Sequence, residues 1–426
     1  MDPPSSPTAV WKTQDDLSSA RGHETECLKR TNWGELCSYA SKLNNGVPCT
    51  LLPHVSFGGS HMARILVFND EAKTRWIARI WMPGPGQRQS HQERDAFNIE
   101  INAMTVINDQ LKDRSPVPKI FGYDFDPENP VGSRFVLMEY VRGIIAMDLD
   151  GGYQAHGGRI PRQHKHHFYR SFARAHALLA SVRVPKIGKL IRQEDGTITV
   201  GPLPPYGGPF DTAKDFFKAW AETTIRDLEH GYRKSVMRNR ENTRDDVKST
   251  IAFPHALLSV LDRLSASPFN EGPFPIRHPD LLHSNVIADS DYNVLAIIDW
   301  EHAKVVPWEL LDLPDFFWRV PKALTHHRRD EEAIRDAEEY IAMVAEAEKA
   351  ENLDSNLSRI LGSEPHQDLG YAIRDFWNDW AKARDYLAVL DPFRDPNKQL
   401  ELGPEPGRDW WSVNGLWWIL QDTAGW

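Results

Sequence analysis

Ile276-Arg-His-Pro-Asp-Leu-Leu-His-Ser-Asn-Val-Ile-Ala-Asp289 and, a short turn later, Val294-Leu-Ala-Ile-Ile-Asp-Trp-Glu301 decide how the chain is read. Two apolar runs, Asn285–Ala288 and Val294–Ile298, flank Asp289-Ser-Asp-Tyr-Asn293, whose composition is that of a turn, so the stretch reads as a β-hairpin. His278, Asp280 and Asn285 then lie on the loop entering the first strand, and Asp299 lies at the end of the second. Two acids and an amide gathered by one tight hairpin suit phosphoryl transfer. One acid can accept or orient a hydroxyl proton, while the amide and the second acid offer hard oxygens to Mg2+. Asp and Asn also favour loops for their own sake, but the spacing and the apolar strand that follows favour chemistry. Asp299 closes an apolar strand, where an acid is costly without a partner or a metal.

Upstream, the first 140 residues carry strand and helix signals in a fixed order. Met62–Phe68 and Arg75–Trp81 are rich in strand formers and are separated by the turn-like Asn69-Asp-Glu-Ala72. Residues 91–112 show a helical apolar stripe at Ile99, Met104, Ile107 and Leu111, and a shorter helix is expected over Asn32–Leu43. Ser115-Pro-Val-Pro-Lys119 breaks the chain before another strand, Arg134–Val141. After Gly143 the pattern turns helical over Lys165–Val182, Asp211–Glu229, Phe253–Ala266 and again beyond Asp330. The expected organisation is a loose arm (1–26), a small sheet-rich lobe (27–140) and a larger helical lobe (141–426).

The chain has 426 residues, with 50 Lys and Arg against 60 Asp and Glu, a formal charge of −10. That surplus argues against a nucleic-acid partner, whose affinity would rest on clustered cations. No apolar run approaches the ~20 residues needed to span a bilayer, and no membrane partner is expected. The start, with Pro, Ser and acids and no basic or apolar region, reads as no secretory signal. Cys27, Cys37 and Cys49 are an odd set with gaps too long for a structural zinc site, so reduced thiols and a cytoplasmic location are expected. Residues 330–352 hold nine acids and two bases. A charge run on a helix is usually a solvated face; the rival reading is an acidic rim for a polycationic substrate. Asp312, Asp315 and the tail with Trp410, Trp411, Trp417, Trp418 and Trp426 are candidates for a pocket edge.

His278-Pro-Asp280 followed by Asn285 keeps the spacing of a kinase catalytic loop. With Ser56-Phe-Gly-Gly-Ser60, Trp76-Ile-Ala-Arg79, Glu100, Pro116–Gly122, Phe135–Gly143 and Ile298-Asp-Trp300 in order, the chain resembles the aminoglycoside phosphotransferase family, specifically its fungal branch, from about Asn32 to Trp318. The resemblance implies an α+β, bilobal, protein-kinase-like fold with a small antiparallel-sheet N-lobe and a larger helical C-lobe. It implies an ATP- and Mg2+-dependent transfer of phosphate to a hydroxyl of a small, possibly amino-bearing, metabolite.

In that resemblance Asp280 is the catalytic base, and Asn285 and Asp299 bind Mg2+. Arg79 stands where the family has a cation on the third strand, and Glu100 pairs with it, with Glu93 as the alternative partner. Phe57, Gly58, Gly59 and Ser60 lie over the phosphates, and the backbone of Met138, Glu139, Tyr140 and Val141 meets adenine. Alternation puts Ile77, Arg79 and Trp81 on one face, so Arg79 has apolar neighbours. His278 reads as a structural loop histidine and His283 as a second cation or substrate contact.

The chain departs from the protein-kinase pattern in lacking G-x-G-x-x-G, D-F-G and A-P-E. Arginine at 79 is a fixed planar fork where the pattern has a compact lysine. These departures motivate the alternative, a pseudokinase-type nucleotide or metabolite binding module without phosphotransfer.

Overall fold

A computed structural model describes residues 11–12, 22–82, 91–126, 128–157, 159–229, 244–314, 316–317, 331–376 and 383–395. By contact the chain divides into two compact units, Met1–Ala175 with Leu282–His302, and His176–Leu281 with Ala303–Trp426.

The first unit is built on six antiparallel strands. In chain order its elements are β1 (Trp11–Lys12), α1 (Gly22–Arg30), α2 (Trp33–Leu43), β2 (Cys49–Phe57), β3 (His61–Phe68), β4 (Arg75–Trp81), α3 (His91–Leu111), β5 (Ile120–Asp124) and β6 (Phe135–Glu139). The sheet order is β1-β2-β3-β4-β6-β5. The expected hairpin is present, with Ile65 opposite Ile77 and Ala63 opposite Arg79. Strand β4 alternates cleanly. Trp76, Ala78 and Ile80 join Leu36, Ala40, Met62, Leu66, Phe135 and Leu137 in a core on one face of the sheet. Trp81, with Ile77 beside it, packs on the other face against Phe97 and Ile101 of α3, and Arg79 shares that face. The helix begins at Gly22, so the end of the stretch expected as a loose arm is helical, while most of that arm lies outside the described residues.

The decisive hairpin folds as read. After β7 (Ile144–Ile145) and the short helix α4 (Gly152–His156), α5 (Arg162–Ser181) lends Phe168 and Phe172 to the core. Strand β12 (Val286–Ala288) pairs antiparallel with β13 (Val294–Ile297) and, on its other side, with β7. Asp289 ties the turn by accepting from the N–H groups of Asp291 and Asn293 at 3.0 and 2.9 Å. Gly143 is required here: a Cβ on it would lie 2.6 Å from Ile287 Cγ2 and 2.7 Å from the Ala288 carbonyl oxygen.

The second unit is mainly helical. It holds the small pairings β8 (Arg183–Val184) with β11 (Phe274–Arg277) and β14 (Lys304–Val305), and the hairpin β9 (Lys189–Arg192) with β10 (Ile198–Gly201). Its long helices are α6 (Ala213–Glu229), α7 (Arg244–Leu264) and α8 (Glu331–Ala350), followed by α9 (Asn356–Leu361), α10 (Glu364–Asp375) and α11 (Ala383–Val389). Trp220 meets Phe253 and Phe376 edge-to-face, Phe253 stacks on Phe376, and Tyr386 tilts against Phe253. The acidic run is α8: Tyr340, Met343 and Val344 are buried, and Glu331, Glu332, Glu338, Glu339 and Glu346 face solvent. Glu348 is the exception, a buried acceptor for the Leu357 and Ser358 N–H groups that open α9. Among the described residues no helix is long and apolar enough to cross a membrane, and the three cysteines are free thiols.

Candidate active site

In the first unit the site is organised around Arg79. Its position on the α3-facing side of β4 sends the guanidinium toward Glu100, which shares the apolar stripe of α3 with Phe97, Ile101 and Met104. Arg79 Nη1 donates to Glu100 Oε1 in a short ion pair. Nη2 donates to Asp299 Oδ1 at 3.0 Å and to Glu301 Oε1 at 3.2 Å. His61, the first residue of β3, places Nδ1 3.2 Å from the same Nη2. A guanidinium only donates, so Nδ1 accepts and the ring hydrogen is assigned to Nε2. That nitrogen lies 3.4 Å from Glu301 Oε1, without hydrogen-bond geometry.

Burial sets the electrostatics and the ion pairs correct it. Burial works against the charge of Arg79, but Glu100, Asp299 and Glu301 outweigh it and hold its pKa above the ordinary value. Glu100 is pushed up by burial and pulled back by Arg79. Glu301 is pushed up by burial to about 7, against the same pull. His61 is held well below its usual range by burial and then by Arg79, and is neutral. Three carboxyl groups thus share one guanidinium.

Asn285 and Asp299 come together through the hairpin. Asn285 ends a 3-10 turn with its N–H on the Leu282 carbonyl at 2.9 Å, and its own carbonyl accepts from the Ile298 N–H at 2.9 Å. Asp299 follows directly, with φ of 69°, a left-handed conformation that Asp tolerates better than most residues. Its side chain is 42% exposed. Trp300 behind it is buried, its indole N–H on the Ile297 carbonyl at 3.0 Å. An amide oxygen and a carboxylate are hard donors of the kind Mg2+ takes. Among the described residues no group of three or more His, Cys, Asp or Glu side chains is arranged as a metal cage. A nucleotide-borne Mg2+ does not need one, because it is held by one or two protein ligands together with phosphate oxygens and water.

Phe57 closes β2, and the Gly58 N–H donates to the His61 carbonyl at 2.7 Å, closing the turn through Gly59 and Ser60. A Cβ on Gly59 would meet nothing within 4 Å, and one on Gly58 only an ordinary 3.5 Å contact, so the turn itself does not demand glycine. Met138 and Glu139 end β6, where the Glu139 N–H donates to the Lys119 carbonyl at 2.8 Å. Tyr140 and Val141 follow, half-buried, and Arg75 stacks over the Tyr140 ring at 5.6 Å.

Asp280 belongs to the second unit, and it is exposed. The ring of buried His278 turns back and its Nδ1 accepts from the Asp280 N–H at 3.1 Å, the structural loop role expected of it. Arg277, just before the loop, is held by Asp312, which also takes Arg374 at 2.8 Å. Asp312 is therefore an ion-pair anchor of that loop, whatever else it borders. Asp315 and the tryptophan-rich tail lie outside the described residues. Sequence reasoning missed His61 and Glu301 as partners of Arg79. Glu301 had a signal, standing two positions beyond Asp299; His61 had only its place at the start of the strand beside β4.

An antiparallel sheet carrying an arginine–glutamate pair, with an Asn and Asp hairpin and helices after it, is the architecture of a small-molecule kinase with a protein-kinase-like fold. Residues 61–310, more than half of the chain, match the family model of the phosphotransferase enzyme family (APH), and the chain belongs to that family. No curated protein is significantly similar to it. Among solved structures it is similar to a protein from Thermobifida fusca assigned as a fructosamine-3-kinase, at 15% identity over 84% of this chain and 96% of that one, with a TM-score of 0.44. A macrolide 2'-phosphotransferase from Brachybacterium faecium matches at 12% identity over 86% and 99%, TM-score 0.40. A type I macrolide 2'-phosphotransferase matches at 16% over 86% and 98%, TM-score 0.37.

Proposed function

We propose that the chain transfers the γ-phosphate of ATP to a hydroxyl of a small metabolite in the cytoplasm. The observation that carries this reading is the single guanidinium of Arg79 joining Glu100 of α3 to Asp299 of the hairpin. Family membership supplies the reaction class. Asn285 and Asp299 would hold Mg2+, which when bound neutralises charge on the phosphate oxygens.

The remaining roles belong to the chain's own groups. Asp280 accepts or orients the proton of the acceptor hydroxyl, and its backbone is steadied by His278. Arg79 holds phosphate oxygens as a fixed fork. The turn Phe57-Gly58-Gly59-Ser60 covers the phosphates with backbone rather than bulk, and Met138 to Val141 meet adenine through the main chain. The division into a nucleotide-binding lobe up to about residue 140 and an acceptor lobe beyond it is part of the same proposal.

The test is ATP turnover with a panel of hydroxylated metabolites and mass detection of the phosphorylated product, for wild type, Asp280→Ala and Asp299→Ala. Turnover in wild type that both substitutions reduce at least ~100-fold is expected. Equal activity in all three overturns the assignment. The departure at Arg79 keeps one rival, a binding module without transfer; it predicts ATP binding by thermal shift with no product from any acceptor.

A further inference from the structure

We infer that Glu301 is a positioning residue: it keeps an oxygen acceptor on Arg79 so that Asp299 is released to bind the metal. The inference rests on the reading of Asn285 and Asp299 as the Mg2+ ligands. Asp299 Oδ1 and Glu301 Oε1 share one nitrogen of Arg79, at 3.0 and 3.2 Å. A carboxylate paired with a guanidinium gives less of its charge to a metal ion, so the Arg79–Asp299 pair and metal binding compete. With Glu301 on the same nitrogen, Arg79 stays paired when Asp299 turns away.

The neighbours of Glu301 are arranged for that role. Its Oε1 lies between Arg79 Nη2 and the ring of His61, whose neutral Nδ1 accepts from the same Nη2 at 3.2 Å. His61 is itself fixed edge-on against Phe97 at 5.3 Å. On the far side of the guanidinium, Glu100 holds Nη1 from a fully buried position on α3. The fork is thus gripped on both nitrogens by groups other than Asp299. A lysine could not be gripped in this way: an ammonium presents one nitrogen where the guanidinium presents two. The arginine and Glu301 therefore form one device.

Calorimetric titration of the full chain with ADP, with and without Mg2+, tests it, because the readout is binding and not turnover. Wild type, Glu301→Ala and Glu301→Gln are compared. Glu301→Ala should raise the Mg2+ concentration that half-saturates the enhancement of ADP binding by about tenfold, the effect of losing a residue that orients a metal ligand. The affinity for ADP without metal should move less than twofold. Glu301→Gln retains an oxygen for Nη2 and should recover part of the loss. An Mg2+ half-saturation equal to wild type in both variants, with only a lower unfolding temperature, shows a structural role and overturns the inference. ADP binding by wild type that ignores Mg2+ altogether overturns the metal assignment, and the inference with it.

Discussion

Arg79 donates to Asp299 across 220 residues of chain, joining the centre of the N-terminal sheet to the end of the β12–β13 hairpin at 3.0 Å. The contact explains why arginine stands at this position. Two nitrogens reach four partners, and the planar fork sets their directions.

Arg79→Lys should therefore behave as a loss, not as a return to the protein-kinase pattern. A compact ammonium lacks the fork that holds Glu100 on one nitrogen and Asp299 and Glu301 on the other, and kcat/KM is expected to fall about 10- to 100-fold. Steady-state kinetics with the acceptor found in the metabolite screen check this. Activity at or above wild type would contradict it.

Glu100 is buried on α3 and bound to Arg79. Glu100→Ala leaves the guanidinium with partners on one nitrogen only and opens a gap beside Phe97. A cost of about 3 kcal/mol in the stability of the first unit is expected, the scale of breaking a buried pair by removing one member. Denaturant unfolding followed by a probe in that unit measures it, and a midpoint within error of wild type would refute the pairing.

Gly143→Ala probes how tightly the chain passes the hairpin. The added methyl would sit 2.6 Å from Ile287 Cγ2 and 2.7 Å from the Ala288 carbonyl oxygen, so either β12 shifts or the chain before β7 does. Roughly 1–3 kcal/mol of destabilisation follows from such overpacking, together with weaker Mg2+-dependent ADP binding, because β12 begins directly after Asn285. Unchanged thermal stability would show that the passage is loose.

Glu309 gives a pH dependence. It is 1% exposed, neither side-chain oxygen has a hydrogen-bond partner among the described residues, and α10 closes over its backbone: a Cβ on Gly370 would lie 1.9 Å from the Glu309 carbonyl oxygen. Burial raises its pKa from 4.5 to about 7. The folded chain then keeps a proton that the unfolded chain releases above about 4.5. Stability falls as pH rises from there to about 7, by up to ~1.4 kcal/mol per unit, and levels off beyond. Glu309→Gln carries no titrating proton and should remove this component of the slope. Unfolding free energies from pH 5 to 8 for both chains give the answer, and parallel curves would refute it.

The elements that sequence reading caught are those with a local signal. The β3–β4 hairpin, α3 and the β12–β13 hairpin follow from period-two and helical patterns closed by turn residues. Strand β5 carries no such signal, whereas the β9–β10 hairpin carries the turn pair Asp195-Gly196 between its strands, a signal the sequence reading passed over. Ile120–Asp124 holds a glycine and is only partly buried, so its pairing with β6 and not alternation makes it a strand. Helix α7 begins nine residues before its apolar run and carries Pro254 within it, because packing on α6 outweighs the breaker.

The same division runs through the site. Asp280, Asn285, Asp299 and Arg79 were singled out because the loop and its hairpin occupy one short stretch, and because an arginine among apolar strand residues needs a partner. Which partners it has was decided only in three dimensions. Glu100 was expected as a partner through the family resemblance and Glu301 stood two positions beyond Asp299, but nothing local marked His61, and the three lie on a helix, a loop and a strand far apart in the chain. They converge because β4 turns Arg79 toward α3 and the hairpin returns Asp299 and Glu301 to the same guanidinium. Local pattern specifies the elements and their chemistry; the register of β4 and the closing of long-range ion pairs in a buried place decide which charges meet.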